Sequence, residues 1–155
     1  MADTVRKVVY FKMSIPDKAG EGARVLGSLR DAGVNLLAFS GFPRGRRAQL
    51  DLVPEDETGF REAAKRAKLA LAGKKTGFLV QGADRVGAVA EYVEKLAAAG
   101  ISITAVDALS AGENRFGAIF WVKPRDVAKA AKAIGATSSS AAEAPLVPSG
   151  TEPTI

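Results

Sequence analysis

The chain repeats itself. Displaced by 67 residues, it matches its own sequence without a gap from Phe11/Phe78 to Phe42/Leu109. Asp17 falls on Asp84, Gly20 on Gly87, Ala23 on Ala90 and Leu29 on Leu96, while Ala32-Gly33-Val34 falls on Ala99-Gly100-Ile101. A register held through a whole run of elements marks a duplication, so the two halves must adopt one fold. The 155 residues then divide into a first unit (1–73), a second unit (74–136) and a tail (137–155).

Within each unit the apolar spacing is specific. Val9, Phe11, Met13 and Ile15 alternate, which predicts a half-buried strand over 8–14, with its counterpart over 76–81. Val25, Leu26, Leu29 and Ala32 recur at helical spacing and predict a helix over 21–32, repeated over 88–99. Gly33 and Gly100 stand where a left-handed residue closes a helix. Second strands follow over 35–41 and 102–109, then polar hairpins over 43–46 and 110–114, then third strands over 47–53 and 116–122. The alignment slips by three residues here, which predicts a longer second hairpin. Phe60, Ala64, Ala67 and Leu71 predict the closing helix of unit one, and Val127, Ala130, Ala131 and Ile134 that of unit two.

The order β-α-β-β-α, with one apolar face per strand, gives an α+β two-layer sandwich of split βαββαβ type. A fourth strand has no room between the closing helix and Thr76, because only Gly73-Lys74-Lys75 intervenes. Thr76–Gln81 is therefore expected to serve both units, in one continuous six-stranded antiparallel sheet with all four helices on one side. After Ala136 the chain turns to Ser, Ala, Glu and Pro, too poor in apolar residues to pack, and is expected to be disordered; Leu146 and Val147 are its one means of reaching a surface.

Two turns stand out chemically. Pro16-Asp17-Lys18-Ala19-Gly20 and Ala83-Asp84-Arg85-Val86-Gly87 each carry a strand into a helix. Free N–H groups at such a helix start can hold a carboxylate, and glycine lets a ligand approach the backbone. Asp17 and Asp84 also suit plain helix caps, and Asn35 suits a bond within its own turn.

Strand, Pro16-Asp17-Lys18-Ala19-Gly20, helix, Ala32-Gly33-Val34-Asn35 and a further ββα together resemble the ACT domain, and the second copy is similar to another. The resemblance covers residues 8–136 and implies tandem ferredoxin-like ACT units that bind a small effector, most often an amino acid, at the interface between units. Carried over, it implies a first site of Asp17, Lys18, Ala19 and Gly20 with Asn35 and Leu36. It implies a second of Asp84, Arg85, Val86 and Gly87 with Ser102 and Ile103. Unit two departs from the pattern at Ala83, where the family has proline, and at Ser102, where it has asparagine.

Composition narrows the remaining classes. The chain has no cysteine and no histidine, which removes disulfides and thiolate chemistry and argues against zinc or catalytic-histidine sites. It has no P-loop and no nucleophile elbow, so the expectation is a non-enzyme without a cofactor. The net charge of +5 centres on Arg44-Gly45-Arg46-Arg47, but Asp51, Glu55, Asp56, Glu57 and Glu62 are interleaved with the basic residues. Nucleic-acid binding is therefore the weaker alternative. No apolar run has the ~20 residues of a membrane helix and no signal peptide is legible, so a cytoplasmic protein is expected. Ile119 and Trp121, which replace Gln49 and Asp51 of unit one, are expected on the sheet face away from the helices. There they would form an interface for a homodimer or a metabolic enzyme. A ligand-free regulatory subunit of such an enzyme is the chief alternative.

Overall fold

The structure, a computed structural model, describes residues 2–137. In chain order it contains β1 (Thr4–Pro16), α1 (Glu21–Asp31), β2 (Leu36–Arg44), β3 (Arg47–Pro54), α2 (Glu57–Arg66) and β4 (Leu71–Ala83). These are followed by α3 (Ala88–Ala98), β5 (Ile103–Gly112), β6 (Arg115–Val122), a 3-10 turn (Pro124–Asp126) and α4 (Val127–Ile134). The expectations for Leu146 and Val147, and for all but the first residue of the tail, lie outside the described residues.

All six strands form one antiparallel sheet, in the order β2-β3-β1-β4-β6-β5. The shared strand is present: Thr76–Gln81 pairs with Thr4–Val9 on one side, and Gly77–Ala83 pairs with β6 on the other. The sharing is mutual. The Leu71–Lys74 end of β4 lies beside Phe11–Met13 as the fourth strand of unit one, and the first half of β1 lies beside β4 as the fourth strand of unit two. Val9 pairs with Thr76, its own repeat equivalent, so a pseudo-twofold axis passes through the centre of the sheet.

Alternation along β1 and β4 separates two faces. Phe11, Met13 and Ile15 pack on α1 and α2 through Val25, Leu29, Phe60 and Ala64. Phe78 and Val80 pack on α3 and α4 through Tyr92, Leu96, Ala130 and Ile134. Val5 and its cross-strand partner Val80 are in register with these residues, which puts all four helices on one side. The expectation of one apolar face per strand fails at the centre. Val8, Tyr10, Val53, Leu79, Ile119 and Trp121 are buried on the opposite face. The sheet curls strongly, as twisted strands allow, until its two edges meet: Ser40 Oγ on β2 donates to Asp107 Oδ2 on β5 at 2.6 Å. These residues too are repeat equivalents, so the contact lies on the same pseudo-twofold.

Four boundaries move. The closing helix of unit one stops at Arg66, and Leu71 opens β4 instead of extending the helix. Lys68 is left-handed (φ 55) and Leu69 N–H returns to Ala64 O at 2.8 Å, a closure that ends the helix whatever its periodicity. A unit boundary at 73/74 consequently falls inside a strand. The longer second hairpin is not a longer loop: Arg44↔Arg47 and Gly112↔Arg115 both flank two-residue turns, one extra residue sits in β5 as the register shift at Ser110/Gly112, and the other two follow β6, ahead of α4. Finally Thr137, placed in the tail by its sequence, pairs with β1: Lys7 N–H donates to Thr137 O and Thr137 N–H to Val5 O, both at 3.0 Å. The helix-closing glycines are left-handed as expected, Gly33 at φ 73 and Gly100 at φ 72.

Candidate functional site

The second turn is the better built. Gly87 precedes α3 in a left-handed conformation (φ 79), and no side chain caps the helix, so Asp84 is not its cap. Asp84 is instead exposed, its N–H donating to Asn114 O of the β5–β6 hairpin at 2.7 Å. Turn, helix start and sheet edge enclose a cleft of about 300 Å³, lined by Asp84, Arg85, Gly87, Ala88, Val89, Ala108, Leu109, Ser110 and Phe116. Val86 is fully exposed at the tip and Ser102 is exposed at the far end of β5.

Arg85 is not a bare cation. Its Nη2 lies 3.0 Å from Asp3 Oδ2 and 2.9 Å from Glu91 Oε2, and its Nη1 donates to Ala83 O at 3.0 Å. Tyr92 Oη donates to the same Asp3 oxygen at 2.5 Å. Burial pushes the Asp3 carboxyl up, but the hydrogen bonds from Arg85 and Tyr92 outweigh it and hold the group below its ordinary value. Burial and Asp3 push the Tyr92 hydroxyl up to about 12. Hydrogen bonds to Glu91 and Asp3 raise Arg85 further still. Asp3 reaches this position because residue 82 is glycine: a Cβ there would come 1.9 Å from Asp3 Oδ1. The Asp3 latch thus ties the start of β1 to the second turn. Nothing in the residue types near the N-terminus signals it, since it depends on the β1–β4 register.

The first turn has the same backbone. Gly20 is left-handed (φ 91), α1 has no side-chain cap, and Asp17, Lys18 and Ala19 are exposed. Asp17 therefore does not cap α1; Lys18 N–H turns back to Pro16 O at 3.0 Å. One chain does not bring Asn35 to this turn. Pro16 pairs with Arg47 at one end of β3, whereas Leu36 pairs with Pro54 at the other, roughly 20 Å away at ~3.3 Å per residue. The helix between them runs back along the strand, so β2 has to start at the far end. Asn35 Nδ2 instead donates to Glu55 Oε2 at 3.2 Å. Unit two has the same separation, with Ala83 opposite Arg115 and Ile103 opposite Val122. Leu36 and Ile103 pack against the two cores.

A second cavity, of about 780 Å³, lies in the curl of the sheet between β2 and β5. Asp51, Ser40 and Asp107 line it together with Leu79, Ile119 and Trp121. This corrects the expected interface: Ile119 and Trp121 do face away from the helices, but they are 5% and 4% exposed and line a cavity instead of an open patch. Tyr10 packs edge-on to Trp121, with ring centroids 5.5 Å apart. Among the described residues the buried Trp121 N–H has no acceptor. It lies against Gly77, 3.5 Å from where a Cβ would stand. Burial and Asp51 push the Tyr10 hydroxyl up to about 12.

No family model matches the sequence, and no curated protein matches it significantly. Solved structures match the fold. The protein BT0572 from Bacteroides thetaiotaomicron aligns with a TM-score of 0.69 at 18% identity, over 86% of this chain and 88% of that one. The regulatory subunit of aspartate kinase from Thermus thermophilus aligns at 0.60 and 16% identity, over 87% and 95%. The aspartokinase alpha and beta subunits align at 0.57 and 18% identity, over 86% and 95%. The chain has the tandem ACT fold. Its two ACT units share a sheet through β1 and β4, and the two glycine turns stand at opposite ends of that seam. Among the described residues no helix is long and apolar enough to cross a membrane, and no cluster of three acidic side chains could hold a metal.

Proposed function

We propose that the chain is a non-catalytic regulatory module that binds an amino acid at the second turn. The observation that supports this reading is the coincidence of an uncapped helix start, a glycine and a cleft at one place, beside a free carboxylate. The ligand carboxylate would meet the first amides of α3, where the dipole and hydrogen bonds contribute on the order of 1 kcal/mol or more. Asp84 would accept from its ammonium. Leu109 and Phe116 offer an apolar wall to its side chain. Arg85, held by two carboxylates, shapes the turn. Ligand occupancy can shift the packing of the two units only through differential affinity for their arrangements, and the Asp3 latch is a direct mechanical link from this cleft to β1.

The test is thermal unfolding against the twenty common amino acids. One amino acid, or one chemical class, should raise the melting temperature of the native chain, and Asp84→Asn should remove the rise; at a hundredfold excess over Kd the gain is about 2.7 kcal/mol. A flat panel refutes the reading. It would favour a ligand-free subunit that docks on a second copy or on a metabolic enzyme, for which the exposed Phe39, Phe42, Val106 and Leu109 of the two edge strands are the observation.

A further inference from the structure

Three strands, β2, β3 and β5, bring two carboxylates together in the curl of the sheet. Asp51 on β3 stands opposite Ser40 on β2, and Ser40 Oγ donates to Asp107 Oδ2 across the meeting edges at 2.6 Å. The two acids therefore flank one hydroxyl, and both line the cavity of about 780 Å³. Among the described residues neither is in an ion pair. Lys12 stands opposite Asp51 on the β1–β3 ladder, and Arg44 Nη1 donates to Gln49 Oε1, but neither basic side chain lines the cavity. Asp51 is thus partly compensated, by Lys12 at its back and by Gln49 Nε2, which donates to it at 2.8 Å. Asp107 is the freer of the two, since the Ser40 hydroxyl that it accepts from carries no charge.

The rest of the hollow is mainly apolar. Leu79 and Ile119 form its floor, and Phe42, opposite Gln49, stands exposed on the same face as Ser40 and Asp51. Carboxylates without a cation in an apolar hollow complement a molecule with a cationic head and an apolar body, and an aromatic face such as that of Phe42 adds attraction for a cation. The donor set does not suit a metal ion: hard cations take six or more oxygens, and among the described residues no three acidic side chains converge. We propose that this cavity is a second binding site, for a small organic amine whose ammonium meets Asp107 and Asp51 while its aromatic or branched body lies against Phe42, Leu79 and Ile119. An ammonium has three donors, enough to reach both carboxylates. The carboxylate of an amino acid would be repelled here, so this site and the second turn take different ligands. The cavity shares Ala108 and Leu109 with the cleft at that turn but none of its polar side chains, and the proposal does not rest on the reading of that turn.

Trp121 lines this cavity and is the single tryptophan of the chain, so its emission is the readout. The experiment titrates the full-length chain with three probes that share one body: 3-phenylpropylamine, 3-phenylpropanol and 3-phenylpropionate. Expected is a change in Trp121 emission, with the amine binding about tenfold more tightly than the alcohol and the acid weakest. Added salt should weaken the amine without weakening the alcohol. Asp107→Asn should cost the amine several-fold and Asp51→Asn less, while the alcohol is unchanged by either. Asp107 is exposed and asparagine keeps an oxygen for the Ser40 hydroxyl, so that variant removes charge and leaves the fold intact. Asp84→Asn, at the second turn, should change nothing. Equal affinities, a preference for the acid, an amine preference that survives both cavity substitutions, or displacement of the amine by calcium chloride at matched ionic strength would overturn the proposal. So would no response to any probe, which would assign the cavity to residues 138–155 or to a second copy of the chain.

Discussion

Gly82 and Asp3 make a sharp test of the latch. A Cβ at Gly82 would lie 1.9 Å from Asp3 Oδ1, 2.6 Å from its Cγ and 3.2 Å from its Cβ. Gly82→Ala therefore expels the Asp3 carboxylate and breaks its bonds to Arg85 (3.0 and 3.3 Å) and Tyr92. Hydrogen bonds to charged groups are worth ~1.5–3 kcal/mol each, but the Arg85 side chain is 35% exposed, which puts the pair nearer the low end. A loss of about 2–3 kcal/mol is expected for Gly82→Ala, and a similar loss for Asp3→Ala. The two substitutions break the same bonds, so the double variant should be only ~0.5–1 kcal/mol worse than Asp3→Ala, the remainder being the 3.2 Å approach of the two Cβ atoms. A coupling of about 2 kcal/mol follows, measured as a double-mutant cycle from urea midpoints at unchanged m-value. Additivity within 0.5 kcal/mol would refute the mechanism: Gly82 would then be needed for some reason other than Asp3.

Two further outcomes follow from the same geometry. Gly20→Ala and Gly87→Ala meet no atom within 4 Å, so each should cost only the left-handed backbone penalty, ~1–2 kcal/mol in urea unfolding; a loss below 0.3 kcal/mol would mean the turns relax freely. The Asp3 carboxyl is held below its ordinary 3.8 in the fold, so the folded state binds fewer protons there than the unfolded state. Its contribution is complete above that value and is lost as pH falls below it, through the lower value of the folded state. The stability difference between the native chain and Asp3→Asn, present at pH 7, should shrink below about pH 4. A difference that persists into strong acid would show that the carboxylate charge is irrelevant.

Much of the fold was legible because duplication and periodicity are local. The two ββ hairpins, the helix starts at Glu21 and Ala88, the left-handed Gly33 and Gly100, and the shared central strand all follow from neighbours in sequence. Asp56 caps α2, its carboxylate accepting from Thr58 and Gly59 N–H at 3.2 Å. The site was less legible. The resemblance implied Asn35 as a partner of the first turn, yet strand direction carries it to the opposite end of the unit. Trp121 looked exposed because alternation assigns a face and cannot say whether that face is open.

The sequence by itself determined two equal βαββα units, their order, and the two glycine turns, since each depends on φ preference and apolar spacing over a few residues. Tertiary structure alone decided that the sheet curls until Ser40 meets Asp107, that β1 lends half its length to unit two, and that Asp3 closes on Arg85. These are contacts between residues more than sixty positions apart. They are set by strand register and sheet twist, quantities that belong to the assembled sheet and to no stretch of the chain.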